Sequence, residues 1–174
     1  MGHVPVMVGE VMGLLGLRAG ETYADCTAGL GGHAVEAARR VGPRGTVVLN
    51  DLDAGNLERA VVALREACGR EVPRVVRFQG NFAELPRRIE AEGLSAGGVL
   101  ADLGFASVQV EDAARGFSFM RDGPLDMRYD ASVGVSAAEL VNGLPEQELA
   151  SILREYGEER EAGRIARKRV AERA

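Results

Sequence analysis

The chain is expected to fold as an α/β protein, a parallel sheet covered on both faces by helices, followed by an all-helical part. Three observations predict this. Four short apolar or β-branched runs alternate with helix-period segments over the first hundred residues. A glycine-rich turn joins the first run to the helix behind it. The alternation stops after Gly104, beyond which the only periodic segments are helical.

Val8, Val11, Met12 and Leu15 recur at helical spacing, which predicts an amphipathic helix over 6–16. Thr22 to Thr27 reads as the first strand, running into the turn Ala28-Gly29-Leu30-Gly31-Gly32. His33 to Val41 is the next helix, stopped by Gly42-Pro43. Thr46 to Leu49 is a buried strand, and Asp53 can cap a helix over 54–68 whose apolar face is Leu57, Val61, Leu64 and Cys68. Val75 to Phe78 makes a third strand, 83–92 a third helix and Gly98 to Leu103 a fourth strand. Residues 105–134 carry no clear period. Ser136-Ala137-Ala138-Glu139 is a capping box. Leu149, Ile152, Leu153 and Tyr156 form one helical stripe, and 158–173 reads as a charged helix. The expected division is an α/β part over 1–110 and a mostly helical part over 111–174. Four strands with a ligand loop on the first leave one flank of the sheet unbuilt, unless further sequence or another chain covers it.

Composition narrows the function classes. The 174 residues are 46% hydrophobic and 27% charged, ordinary for a globular protein. No apolar run approaches the ~18–20 residues of a membrane span, and Met1-Gly2-His3-Val4-Pro5 lacks the marks of a secretory signal. A cytoplasmic location without membrane partners is the expectation. Two cysteines, Cys26 and Cys68, and two histidines, His3 and His33, are too few for a disulfide framework or a zinc site, so no metal is expected. The net charge of −5 confines any nucleic-acid contact to local patches.

The first chemically suggestive constellation is Asp25-Cys26-Thr27-Ala28-Gly29-Leu30-Gly31-Gly32-His33, between strand one and its helix. Glycines allow a sharp turn and the approach of a ligand with no Cβ in the way, and the helix start behind them offers free N–H groups. Asp51, at the end of strand two, is placed to accept the hydroxyls of a ribose. A glycine turn without a ligand is the bland alternative. The spacing G-x-G-G differs from the G-x-G-x-x-G of dinucleotide sites, which makes a nicotinamide-dependent oxidoreductase the weaker reading. Phe82, after strand three, could pack on an adenine or serve as ordinary core. Asp102, at the end of strand four, suits a cationic amino-acid group or a reacting amine, or else caps a turn.

The second constellation runs from Arg115 to Asp130, RGFSFMRDGPLDMRYD. Aromatics interleaved with three arginines can stack on splayed bases and grip phosphates. The same residues could instead form a surface loop whose arginines pair with its own three aspartates.

This segment closely resembles the signature of the bacterial ribosomal RNA small-subunit cytosine-N4 methyltransferases. The resemblance extends to His3-Val4-Pro5-Val6-Met7, Thr27-Ala28-Gly29-Leu30-Gly31-Gly32-His33, Asp51-Leu52-Asp53, Gly80-Asn81-Phe82 and Ala101-Asp102-Leu103-Gly104. It continues through Tyr156-Gly157-Glu158-Glu159-Arg160 and Arg164-Ile165-Ala166-Arg167. It implies a Rossmann-like class I methyltransferase sheet interrupted by a helical domain after strand four. The cofactor implied is S-adenosyl-L-methionine, and the activity is methylation of the exocyclic N4 of a cytidine in small-subunit ribosomal RNA, free or within an assembled small ribosomal subunit. Position by position, Gly31, Gly32 and His33 would hold the methionine part, Asp51 the ribose and Phe82 the adenine region. Asp102 and Gln109 would complete the pocket near the methyl donor, with Asp102 the candidate catalytic residue.

Two departures accompany the resemblance. Phe105-Ala106-Ser107-Val108-Gln109 stands where the family usually has Val-Ser-Ser-Pro-Gln, and Cys26 replaces a small residue. Family members also continue for about as long again to finish the sheet, so the chain reads as C-terminally truncated. The alternative function is a catalytically inactive homologue that binds RNA or a partner without methyl transfer.

Overall fold

A computed structural model describes residues 5–173, so His3 and Val4 of the opening motif lie outside the described residues. The chain forms two compact units, Met1–Ser107 and Val108–Ala174.

The first unit is built in the order α1 (Val8–Leu15), β1 (Thr22–Asp25), α2 (Gly32–Val41), β2 (Thr46–Asp51), α3 (Ala54–Cys68), β3 (Arg74–Gln79), α4 (Leu85–Ala91) and β4 (Gly98–Leu100). The four strands make one sheet in the order β3-β2-β1-β4, with every pairing parallel. Tyr23 pairs with Val47 on one side and Gly98 on the other, which puts β1 inside the sheet. β1 and β2 are buried along their whole length, as strands covered on both faces must be.

Alternation along the strands feeds two cores. Tyr23, Val47 and Leu49 point to the face covered by α1, α2 and α3, where Met12, Ala34, Ala37, Val41, Leu57 and Leu64 pack. Ala24, Cys26 and Val48 point to the other face, against Leu85 and Ile89 of α4. Cys26 thus fills core volume. Most expected elements form with shifted ends. The stretch expected to be helical over 83–92 begins as a 3-10 turn, Phe82–Glu84, capped by the Asn81 side chain, before α4 proper.

The fourth strand departs most from expectation. It ends at Leu100, not at Leu103: among the described residues β4 pairs with β1 alone, and the ladder closes where Cys26 N–H donates to the Leu100 carbonyl (2.8 Å). Asp102 therefore lies two residues beyond the strand.

The second unit contains most of α5 (Ser107–Glu111), then α6 (Ala137–Gly143), α7 (Glu146–Glu155) and α8 (Ala162–Ala171). Leu149 and Ala150 of α7 pack on Ala166 of α8, with Leu144 and Leu153 beside them. Two expectations change here. Tyr156 is not part of the buried stripe: it is the C-cap of α7 and 83% exposed. The charged helix starts at Ala162 rather than 158, because Glu158 takes a left-handed backbone (φ 51°) that no helix continues through. Among the described residues, no helix is long and apolar enough to cross a membrane.

Candidate functional site

The carboxyl ends of β1, β2 and β4 bring three loops together. Asp25 closes β1 with its carboxylate buried: Oδ2 accepts from the Tyr23 hydroxyl (3.0 Å) and Oδ1 from Thr27 N–H (3.1 Å). Burial pushes its carboxyl from the ordinary 3.8 up to about 6, while its two hydrogen bonds and His33 act in the opposite direction. The same burial, with Asp25 next in weight, drives the Tyr23 hydroxyl far above its ordinary value. The second bond to Asp25 shapes the start of the glycine loop.

The loop then crosses to both neighbouring strands. Ala28 N–H donates to the Asn50 carbonyl on β2 (2.8 Å), and Gly29 N–H donates to Oδ2 of Asp51 (2.8 Å). On the other side, Thr27 Oγ1 accepts the Asp102 N–H (2.8 Å), a bond between residues 75 apart. The two acids named from sequence therefore flank the loop, one on each side of β1.

Asp51 is the last residue of β2 and largely buried. Its Oδ1 also accepts Asp53 N–H (2.9 Å), and the Asn56 amide straddles both oxygens at 3.4 and 3.5 Å. A carboxylate has about four acceptor positions. The two short backbone bonds hold the group rigidly and leave acceptor capacity on both oxygens.

Asn50 is buried too, and its amide donates to the carbonyls of Cys26 (3.1 Å) and Gly80 (3.0 Å). It ties the loops after β1 and β3 to β2. Among the described residues, the buried acceptors Oδ1 of Asn50 and Oδ1 of Asn56 have no bonding partner.

His33, the second residue of α2, is nearly enclosed at 8% exposure. Its Nε2 donates to the Val6 carbonyl (3.0 Å), since a carbonyl only accepts. Nδ1 is thereby turned to the other side of the ring, 3.9 Å from Oδ2 of Asp102. The Asp102 side chain itself is open, 61% exposed. Phe82, 42% exposed, sits at the start of the turn after β3 and is not core.

The glycines at 31 and 32 have a further cause beyond the expected turn and ligand approach. A Cβ on Gly31 (φ 83°) would lie 2.8 Å from Cα of Ala60 in α3, and one on Gly32 would strike the Pro5 ring. Both glycines are required by packing of the chain on itself, in addition to any ligand. Gly31 N–H is already committed to the Ala28 carbonyl (2.8 Å). The unspent donors at this turn belong to the first residues of α2, where no intrahelical acceptor exists.

Gln109 lies on α5 in the second unit and is buried. In the same unit, the arginines of the 115–130 segment brace it, two within the segment and one against Glu111. Arg115 Nη2 donates to the carbonyls of Arg128 (2.9 Å) and Tyr129 (2.7 Å), and its guanidinium sits 5.9 Å from the Phe117 ring centre. Arg128 clasps Asp126 with two parallel bonds (3.0 and 2.6 Å), which pulls the Asp126 carboxyl down to about 2. Arg121 donates to the Glu111 carbonyl (2.6 Å). Arg128 thus pairs with an aspartate of the loop, and Arg115 and Arg121 bond backbone carbonyls as well. Phe119 and Met120 remain 96% and 79% exposed on this braced loop.

Asp25, Thr27, Asn50 and Asn56 received no role from the sequence. The available signal was Asn50 itself, a polar residue directly after the apolar run Val47-Val48-Leu49.

A family profile described as the MraW methylase family matches residues 1–174. The chain belongs to the MraW methylase family. Three relatives, each named ribosomal RNA small subunit methyltransferase H, illustrate the similarity. Those of Acidobacterium capsulatum and Halorhodospira halophila are 46% identical, covering 95% and 98% of this chain and 56% and 52% of their own lengths. The relative from Symbiobacterium thermophilum is 45% identical over 94% of this chain and 51% of its own. The chain spans about half the length of the curated relatives it matches. Within that half, the glycine loop, Asp51 and Asp102 lie at or just beyond the carboxyl ends of three adjacent parallel strands.

Proposed function

We propose that this chain is the cofactor-binding part of an S-adenosyl-L-methionine-dependent methyltransferase that modifies the exocyclic N4 of a cytidine in small-subunit ribosomal RNA. The observation that carries the reading is the flanking of the glycine loop by two carboxylates. Asp51 is bonded to it through Gly29 N–H, and Asp102 through Thr27 Oγ1.

These residues fit an adenosyl sulfonium amino acid. Asp51 is rigid yet retains acceptor capacity for ribose hydroxyls. Phe82 offers an exposed aromatic face for the adenine. The first N–H groups of α2, at Gly32 and His33, are placed for the carboxylate of the methionine part, beside Gly31. The open Asp102 carboxylate complements its positive charges. Gln109 is assigned to the donor end on family resemblance.

S-adenosyl-L-methionine, when bound, supplies an electrophilic methyl group. The protein's task is to present the acceptor amine, whose lone pair is delocalised into the cytosine ring. Asp102 accepts a hydrogen bond from that amine, which favours the pyramidal nitrogen needed for attack, and takes up the proton it loses. The base must leave its stack to reach such a site, and holding amine and donor in line supplies much of the rate. Phe119, exposed on a loop braced by its own arginines, offers a ring on which an unstacked base can lie.

Calorimetry of this chain with S-adenosyl-L-methionine tests the cofactor assignment, with saturable one-to-one binding expected and weakened by Asp51→Ala and Asp102→Ala. For the reaction, tritiated methyl donor is incubated with unmodified small-subunit RNA and a full-length version. Label is expected on a cytidine. A cofactor-bound protein that leaves the RNA unlabelled would reject the assignment.

A further inference from the structure

Asp102 stands where the sheet no longer holds it. β4 ends at Leu100, and residues 101–106 form neither strand nor helix. Among the described residues, the nearest ring nitrogen to the Asp102 carboxylate is His33 Nδ1 at 3.9 Å, too far for a hydrogen bond. Its backbone is held instead by one short bond, from its N–H to the hydroxyl oxygen of Thr27 (2.8 Å). Thr27 is itself held from behind. Its N–H donates to Oδ1 of Asp25 (3.1 Å), a carboxylate buried in the sheet and bonded on its other oxygen by Tyr23.

We infer that Thr27 is a positioning residue for Asp102: its hydroxyl carries the geometry of the buried β1 anchor across to an acid that lies beyond the end of β4. This rests on the functional reading above and assigns within it a residue that touches neither donor nor base. The chain of contacts is Tyr23 to Asp25 to Thr27 to Asp102, each link a single hydrogen bond of 2.8–3.1 Å.

The bond lies at an exposed residue, so water replaces the hydroxyl when Thr27 is removed, and the fold loses little. Position is what water does not restore. A free segment of this kind drifts by more than the ~0.5 Å tolerance of a preorganised site. A merely structural threonine would show the reverse pattern, with stability lost and ligand affinity kept.

The test is a double-mutant cycle read by calorimetry with S-adenosyl-L-methionine on the whole chain. Thr27→Val keeps the shape and deletes the acceptor. It is expected to weaken binding about five- to tenfold, the size of one hydrogen bond, with the unfolding midpoint nearly unchanged. Thr27→Ser keeps the hydroxyl and should bind within about twofold of the parent, because the acceptor is restored. In an Asp102→Ala background, Thr27→Val should cost less than about twofold, since the residue it positions is gone. Equal losses in both backgrounds, or a serine variant as impaired as valine, would overturn the inference.

A second measurement does not need the ligand. Hydrogen exchange at the Asp102 amide should accelerate at least about tenfold in Thr27→Val, since its acceptor is lost. Unchanged exchange would sink the positioning role whatever the affinity shows. Failure of the parent to bind the methyl donor would fall on the functional reading instead.

Discussion

The Tyr23 hydroxyl lies 3.0 Å from Oδ2 of Asp25, two residues along the same strand, and both are enclosed by the sheet. Residues i and i+2 share a face of a strand, so β1 carries its own donor for the acid it buries. One such donor only partly offsets the loss of water.

The pH dependence of stability follows from that imbalance. The folded carboxyl of Asp25 titrates near 6 rather than at its ordinary 3.8, so between those values the folded protein binds more protons than the unfolded chain. Stability from this group is present below the lower value and lost as pH rises through the upper one. Other acids titrate over the same range, so the comparison is with Asp25→Asn. The parent's advantage over that variant should fall by up to about 3 kcal/mol between about pH 4 and pH 7. Urea denaturation at the two pH values measures it, and a constant difference would contradict the burial argument.

Gly31→Ala should destabilise strongly. A side chain there adds the strain of a left-handed backbone to a 2.8 Å approach to Ala60 Cα. The combined cost is roughly 2–4 kcal/mol. Ala60→Gly should not rescue it, because the obstructing atom is backbone. Gly20→Ala has a similar φ (89°) with open space around it, so it should cost only about 1 kcal/mol. Chemical denaturation of the three variants separates strain from collision.

The helical unit offers a local test. Ser136 Oγ accepts Glu139 N–H (3.2 Å), and Glu139 Oε2 accepts Ser136 N–H (2.8 Å), both bonds of a capping box at the start of α6. Ser136→Ala should cost about 1 kcal/mol, seen as a lower denaturation midpoint. The backbone and side-chain bonds from Ser136 hold the Glu139 carboxyl below its ordinary value. The reciprocal bond should accordingly weaken as pH falls through the folded value, not before.

Phe119→Ala should leave stability within about 0.5 kcal/mol, since the ring buries almost nothing. Binding of small-subunit RNA, followed by filter retention at fixed salt, should weaken about five- to tenfold if the ring stacks on a base. An unchanged affinity would remove Phe119 from the RNA-contacting surface.

Much of this was legible in the residues. Asp53 caps α3 by accepting from Gly55 and Asn56 N–H, and Leu57, Val61 and Leu64 form its buried face, as the sequence pattern indicates. The capping box at Ser136 and the buried run at β2 are equally local, set by spacing alone. What escaped is set by partners distant in sequence. The end of β4 depends on its pairing with β1, its one neighbour among the described residues. The need for glycine at 31 depends on Ala60, and the tie made by Asn50 depends on the carbonyls of Cys26 and Gly80. Residues 105–134 lack an apolar period because their order comes largely from arginine and aspartate side chains bonding the backbone.

The 75 residues between Thr27 and Asp102 also have a kinetic meaning. β1 can reach β4 only after β2 and β3 have been made and the crossover helices packed, because parallel neighbours close long loops. A nascent or partly unfolded chain therefore has the glycine turn without Asp102 opposite it. Competence to grip a nucleoside waits on the docking of β4, so the earliest local opening there would silence the protein well before it melts.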